Sequence, residues 1–280
     1  MAEDDSFDMT DEPVKKSGSK LKLEGIIPII IIVAVILLIV FKTNLISSSE
    51  GIFKSSRTSI LVLGSPSPEF IRVLNDAGNR DLIKQLRFRT IDSVQHNPKE
   101  SFKAFDIIIL DQTLSADKSI TRTVGEAIKG FVQAGGKLIV VLNSGIERTG
   151  DPSVIGWKAT FGDIIPVTCD PLIYSIPSCK QKLMVSGVIY SNRSDSKQGG
   201  YRIMYGIEKV PALESAGLLQ TETFAVGIEG NEIAYLVDAR SGMTYPAIVE
   251  KPMLLGKVLY FNYNPGLSEA IFINAIKYLK

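Results

Sequence analysis

The sequence predicts an α/β domain, a parallel sheet sandwiched by helices with a β-rich insertion, preceded by one transmembrane helix. Three observations carry this expectation. SILVLG (59–64), DIIILD (106–111) and KLIVVLNSG (137–145) are short apolar runs typical of strands covered on both faces. Between them, apolar residues recur at helical spacing. Ahead of them all, GIIPIIIIVAVILLIVF (25–41) is 17 residues without a charge.

As a helix, that run spans roughly 25 Å, the low end of what crosses a bilayer's hydrocarbon core. Leu21 and Leu23 extend it by a turn if Lys20 and Lys22 snorkel outward. Pro28 falls in the first turn, where a missing N–H is tolerated. A soluble helix would show a polar face, and this one has none. A cleaved signal peptide is the other alternative, since Ser47, Ser48 and Ser49 follow. However, the apolar run exceeds the usual h-region and its flank is long and acidic. The expectation is therefore an uncleaved signal-anchor. Lys15, Lys16, Lys20 and Lys22 precede it, against Lys42, Lys54 and Arg57 after it. This bias places the N-terminus in the cytoplasm and the C-terminal domain outside a cell membrane crossed once.

The expected divisions are a disordered cytoplasmic tail (1–24), the membrane helix (25–41), a Ser- and Lys-containing stalk (42–58) and one α/β domain (59–280). Seven of the 30 acids and four of the 31 bases precede the span, leaving 23 acids and 27 bases beyond it. So weak an excess excludes nucleic acid as an argued partner. Cys169 and Cys179 are the two cysteines. In an oxidising compartment they form a local disulfide; otherwise they are buried free thiols. With no second cysteine pair and no nearby histidine, they are not a zinc site, and no metal is expected. Asn192-Arg193-Ser194 is an N-glycosylation sequon.

In chain order, Ser67 caps a helix with Pro68 at its first position and Phe70, Val73, Leu74 and Ala77 on its inner face. A strand follows at 86–91, then the strand at 106–111. Ile120, Val124, Ala127, Ile128, Phe131 and Val132 mark a second helix, which Gly135-Gly136 ends. Strand, helix and strand alternate, which implies parallel strands and right-handed crossovers. Beyond Gly145 prolines multiply, and loops and edge strands are expected. Phe224, Val226 and Ile228, the Gly230-Asn231 turn, and Ile233, Tyr235 and Val237 read as a β-hairpin. Strands at 246–250 and 256–262 follow, and Ser268 caps a final helix. Trp157, the single tryptophan, reads as a packing anchor.

Four stretches together resemble a known family: ILVLG, FDIIILD, GFVQAGGKLIVVLNSG and GKVLYFNYNPGLSEAIFINAIKYLK. They look like a class I glutamine amidotransferase-like domain, flavodoxin-like in topology, of a non-catalytic or trehalose-utilisation-type branch. The resemblance spans 59–280. Enzymes of that family carry a nucleophilic cysteine in a Gly-x-Cys-x-Gly turn, with His and Glu near the C-terminus. Laying the last glycine on Gly145 puts Asn143 at the nucleophile, and shifting by one offers Ser144. His96, the single histidine, lies far from the expected place.

The resemblance therefore implies a domain that kept the fold and lost the chemistry. The function expected is a membrane-anchored, non-catalytic binding or scaffold module, an accessory subunit of an envelope complex in transport or glycan transfer. It would meet the bilayer through 25–41 and a protein or glycan partner, without cofactor. The alternative is a hydrolase using Ser144 with Asp111 or His96 as base. Asp111, at a strand's C-terminal end, serves either a ligand or a turn. Ser65, Asp111, Asn143, Ser144 and Asn264 are the candidate ligand residues.

Overall fold

The computed structural model describes residues 32–33, 57–79, 81–169, 177–192, 202–211 and 217–280. Two compact units divide the chain, 1–54 and 55–280. Of the first, Ile32 and Val33 are described, and both are helical and exposed. The expected tail, nearly all of the expected membrane helix and the stalk up to residue 56 lie outside the described residues. Among the described residues, no helix is long and apolar enough to cross a membrane.

The second unit runs β1 (Thr58–Gly64), α1 (Pro68–Asn79), β2 (Ile83–Arg89), α2 (Ile91–Val94), α3 (Pro98–Phe102), β3 (Ile107–Asp111), β4 (Ser119–Ile120), α4 (Arg122–Gln133) and β5 (Lys137–Val141). Then come β6 (Glu147–Arg148), β7 (Asp151–Ile155), α5 (Trp157–Phe161), β8 (Val167–Thr168), β9 (Leu183–Ser191), β10 (Lys209–Val210), β11 (Leu219–Thr223) and β12 (Gly227–Ile228). β13 (Asn231–Asp238), β14 (Thr244–Pro252), β15 (Lys257–Phe261) and α6 (Glu269–Leu279) close the chain.

Ten strands form one open sheet, ordered β10-β9-β13-β14-β15-β5-β3-β1-β2 with β11 also on β9. β2, β1, β3, β5 and β15 are mutually parallel. β14, β13, β9, β10 and β11 continue the sheet antiparallel. This corrects the expected flavodoxin-like parallel sandwich carrying an insertion. The β-rich part is no appendage, because its strands pair edge to edge with β15 and extend the same core. The expected hairpin is also corrected. β11 pairs with β9, β12 pairs with β8, and β13 turns into β14. Alternation sets which face a residue takes but not which strand lies beside it.

The apolar runs are buried on both faces, and alternate residues feed two cores. Ile60, Val62, Ile109, Ile139 and Phe261 pack with Phe70, Val73 and Leu74 of α1 and Ile271, Phe272 and Ile276 of α6. Leu61, Leu63, Ile108, Leu110, Val140 and Tyr260 pack with Val124, Ile128 and Val132 of α4 and with Trp157 and Phe161 of α5. At the start of α1, Ser67 Oγ accepts from Phe70 N at 3.2 Å. Thr121 Oγ1 caps α4 by accepting from Val124 N. Ser268 occupies the N-cap position of α6 without a side-chain cap, its hydroxyl being paired with Tyr263 OH at 2.6 Å.

Candidate functional site

In this sheet β1 connects outward to β2 while β3 and β5 lie on its other side, so the strand order reverses between β1 and β3. Open α/β sheets bind ligands outside the carboxyl ends of their strands at such a reversal. Here those ends are Gly64-Ser65 and Asp111-Gln112. Gly64 has φ +115°, and a Cβ on it would fall 2.2 Å from Asp111 O. The two strand ends therefore close onto each other only with glycine at 64. Ser65 N donates to Asp111 O at 2.7 Å and completes the contact.

Asp111 is fully buried. Its Oδ1 accepts from Thr113 N at 2.8 Å and Thr113 Oγ1 at 2.5 Å, an Asx-type turn that carries the chain out of β3. Its Oδ2 is buried without a hydrogen-bond partner. Burial raises the carboxyl from 3.8 to about 6, against the lowering effect of Thr113 and of the Lys118 charge. Lys118 Nζ crosses back to the carbonyls of Gln112 and, at 3.3 Å, Thr113. Burial lowers the Lys118 pKa, with the charges of Asp111, Glu222 and Glu147 opposing and that of Lys182 adding. Glu222 is bound by Lys182 at 2.6 Å and Glu147 by Lys180 at 2.9 Å. Strands β6 and β11 and the segment just before β9 thus supply charge to a crevice built by β1 and β3.

The turn after β5 closes the floor. Leu142 is a non-glycine residue at φ +53°, a sparsely populated conformation. Ser144 is fully buried. Its Oγ accepts from Gln112 N at 2.8 Å, and Gln112 Oε1 accepts from Gly145 N at 2.8 Å. Trp157 Nε1 donates to Ser144 O at 2.9 Å, and its ring meets Tyr260 edge-on, so the tryptophan anchors this knot. Ser144 Oγ is bonded to Gln112 N and not to Asp111 or His96, the bases that the hydrolase alternative built on it requires. His96 is exposed between α2 and α3 and makes no hydrogen bond to Asp111 or Ser144.

Of the expected ligand residues, Ser65, Asp111 and Ser144 meet in one hydrogen-bonded cluster, and Asn143 is half-buried in the adjoining turn. Asn264 caps its own turn through Gly266 N at 3.0 Å and donates to Ser67 Oγ at 2.9 Å, so it braces the loop after β1. Gln112 and Lys118 were not legible as site residues. A glutamine after an apolar strand carries no motif, and Lys118 reaches the site by folding back across five residues.

Elsewhere, Cys169 and Cys179 are joined as a disulfide. Asn192 Nδ2 donates to Glu232 O at 3.1 Å, while Arg193 and Ser194 of the sequon lie outside the described residues. Among the described residues, no group of three or more His, Cys, Asp or Glu could hold a metal ion.

No protein-family model matches the chain, and no curated protein matches it. It is similar to the solved structure of a β-galactosidase from Rahnella sp. R3, with 14% identity and a TM-score of 0.49 over 78% of this chain and 30% of that one. An exo-β-1,4-mannosidase from Opitutaceae bacterium strain TAV5 is similar at 10% identity and a TM-score of 0.36, over 78% of this chain and 33% of that one. A carbohydrate deacetylase follows at 9% identity and a TM-score of 0.39, over 74% of this chain and 29% of that one. The chain spans about 30% of the length of the structures it resembles.

No family model supports the amidotransferase resemblance, and the antiparallel half that continues the sheet departs from the parallel sandwich it implied, so that reading is corrected. The non-catalytic expectation falls with it. It rested on a missing cysteine and histidine of that family, whereas the crevice holds a buried carboxyl poised near neutrality.

Proposed function

We propose that this domain is a hydrolase acting by general acid–base catalysis in the crevice between the ends of β1 and β3, with a carbohydrate as substrate. The observation that carries the reading is Asp111 Oδ2, a buried oxygen without a partner on a carboxyl raised to about 6. Buried polar atoms in folded proteins are almost always hydrogen-bonded, and exceptions concentrate where a ligand or reaction uses them. A carboxyl that keeps its proton close to neutral pH suits a general acid.

Glycosidic bonds are cleaved by two carboxyls of opposite protonation, one donating a proton to the leaving oxygen and the other taking one from water. Asp111 fills the first role. Glu222, held by Lys182, or Glu147, held by Lys180, fills the second as the base. The proton moves from Asp111 Oδ2 to the leaving oxygen as the C–O bond breaks. The attacking water gives its proton to the base as the new C–O bond forms. Asp111 is closed to solvent, so this reading requires the residues around Oδ2 to move aside when substrate binds.

The test is hydrolysis of aryl β-galactosides, aryl β-mannosides and acetylated sugars by the full chain and by Asp111→Asn. Turnover that falls as pH rises through about 6, and drops at least about 100-fold in the variant, is the expected result. No turnover of any of the three, or turnover untouched by the substitution, overturns the reading.

A further inference from the structure

The turn joining β14 to β15 runs against ordinary turn chemistry. Met253 N donates to Gly256 O at 3.0 Å. That leaves Leu254 and Leu255 at the two central positions, where Gly, Asn and Asp are favoured. Leu254 is 97% exposed and Leu255 52%. The turn is also firmly seated. A Cβ on Gly256 would fall 2.0 Å from Val132 O and 2.6 Å from Gly136 O, so the chain presses on the end of α4. Lys137 Nζ reaches Gly135 O at 2.6 Å and Leu255 O at 3.4 Å. Two leucines are thus held outward on a rigid support.

Their place in the sheet says what they meet. The register pairs Lys257 with Lys137, Lys137 with Ile107 and Ile107 with Ile60, so the starts of β15, β5, β3 and β1 share one end. Pro252 opposite Lys257 puts the leucine turn at that end. The last turn of α6 arrives there too, with Tyr278 OH donating to Glu250 Oε1 at 2.6 Å and Lys257 Nζ 3.6 Å from the Tyr278 ring centre. Lys137, which touches Leu255, and Lys257, Lys277 and Lys280 of the neighbouring elements therefore lie toward the same end of the domain. Of the acids at this end, Glu250 is bridged by Lys257 at 3.1 Å and Asp81 by Arg57 at 2.8 Å, while Asp106, exposed just before β3, accepts from Ser59 N at 2.8 Å.

The chain also enters the domain here. β1 starts at Thr58, with 16 residues between it and the end of the uncharged run 25–41. A connection of that length reaches at most about 55 Å.

We propose that this end of the domain docks on an anionic lipid bilayer, with Leu254 and Leu255 inserted at the boundary of headgroups and acyl chains and the lysines on the headgroups. Two protruding leucines cover far less than the roughly 1,000 Å² a specific protein partner needs. They do suit shallow insertion, which combines a small apolar area with attraction of cations to anionic lipid. On this reading the uncharged run 25–41 gives the same chain a second affinity for lipid.

The experiment reconstitutes the full chain, as parent and as Leu254→Trp, into vesicles containing acyl-chain-brominated lipid, in a neutral and an anionic composition. Trp157, 1% exposed, is the internal reference in both. Quenching of the variant at least about twofold beyond that of the parent, stronger in anionic vesicles, is the expected result. The side chain at 254 is almost wholly in solvent, so the substitution leaves folding intact, and near-UV circular dichroism verifies this. Quenching equal to the parent in both compositions, or a chain that does not float with vesicles, overturns the proposal.

Discussion

Replacing Asp111 by Asn tests the electrostatic premise of the site without any substrate. The carboxyl is raised from 3.8 to about 6, chiefly by burial. For an acid raised on folding, the unfolded chain gives up its proton first. Below about pH 3.8 both states hold it and nothing is lost. Between 3.8 and about 6, the folded state keeps a proton that the unfolded state has released, so stability falls as pH rises. Above that window the full cost is present and constant. A difference of about two units is worth about 3 kcal/mol.

Asparagine retains an oxygen for the Thr113 bonds and removes the ionisation. The stability of Asp111→Asn relative to the parent should therefore rise by up to about 3 kcal/mol between about pH 3 and about pH 8. Any fixed cost of the buried amide cancels in that comparison. Urea unfolding of the full chain in detergent, followed by near-UV circular dichroism at both pH values, measures it. A parent-to-variant difference that changes by less than about 0.5 kcal/mol would mean that Asp111 titrates like a solvated acid.

Asn262 is fully buried, accepts from Phe224 N at 3.1 Å and Tyr260 OH at 3.0 Å, and donates to Phe224 O at 2.8 Å. Asn262→Leu keeps the volume and orphans all three groups, so it should lose about 3 kcal/mol or more in denaturant unfolding. The Cys169–Cys179 disulfide spans a sequence separation of 10, for which chain entropy gives about 3 kcal/mol. The double variant Cys169→Ala, Cys179→Ala should show a loss of up to that size in the same assay. No change would mean the loop is equally restrained without the bond.

What the sequence made legible was local. The runs 59–64, 106–111 and 137–141 read as buried strands because an uninterrupted aliphatic stretch has no other soluble use at that length. The start of α1 was visible in Ser67-Pro68, and Trp157 as an anchor. Pairing was not visible. β9 takes β13 on one edge and β10 with β11 on the other, and nothing in 183–191 names those partners. The alternation around Gly230 was real in β13, but the turn that folds it back lies at 239–243, where Asp238 and Ser241 bind each other at 2.6 Å. Asp111 stood out because it ends an apolar strand. Its consequence depends on a solvent shell that only the folded chain removes.

The antiparallel half of the sheet explains why that removal is possible at all. In a sheet ending at β15, Lys118 would keep the charges of Asp111 and Glu147 but lose that of Glu222. Because β9 and β11 continue the sheet, Lys182 and Glu222 are delivered as a bound pair to the flank of a crevice whose own strands supply Asp111 and Lys118. The attraction of Glu222 for Lys118 opposes the desolvation of a lysine that lies across the end of β3, while the repulsion of Lys182 works against it. Lys118 in turn holds the carbonyls of Gln112 and Thr113, and with them the turn that binds Asp111 Oδ1. The buried carboxyl is thus a product of the whole mixed sheet, which is why neither half read alone accounts for it.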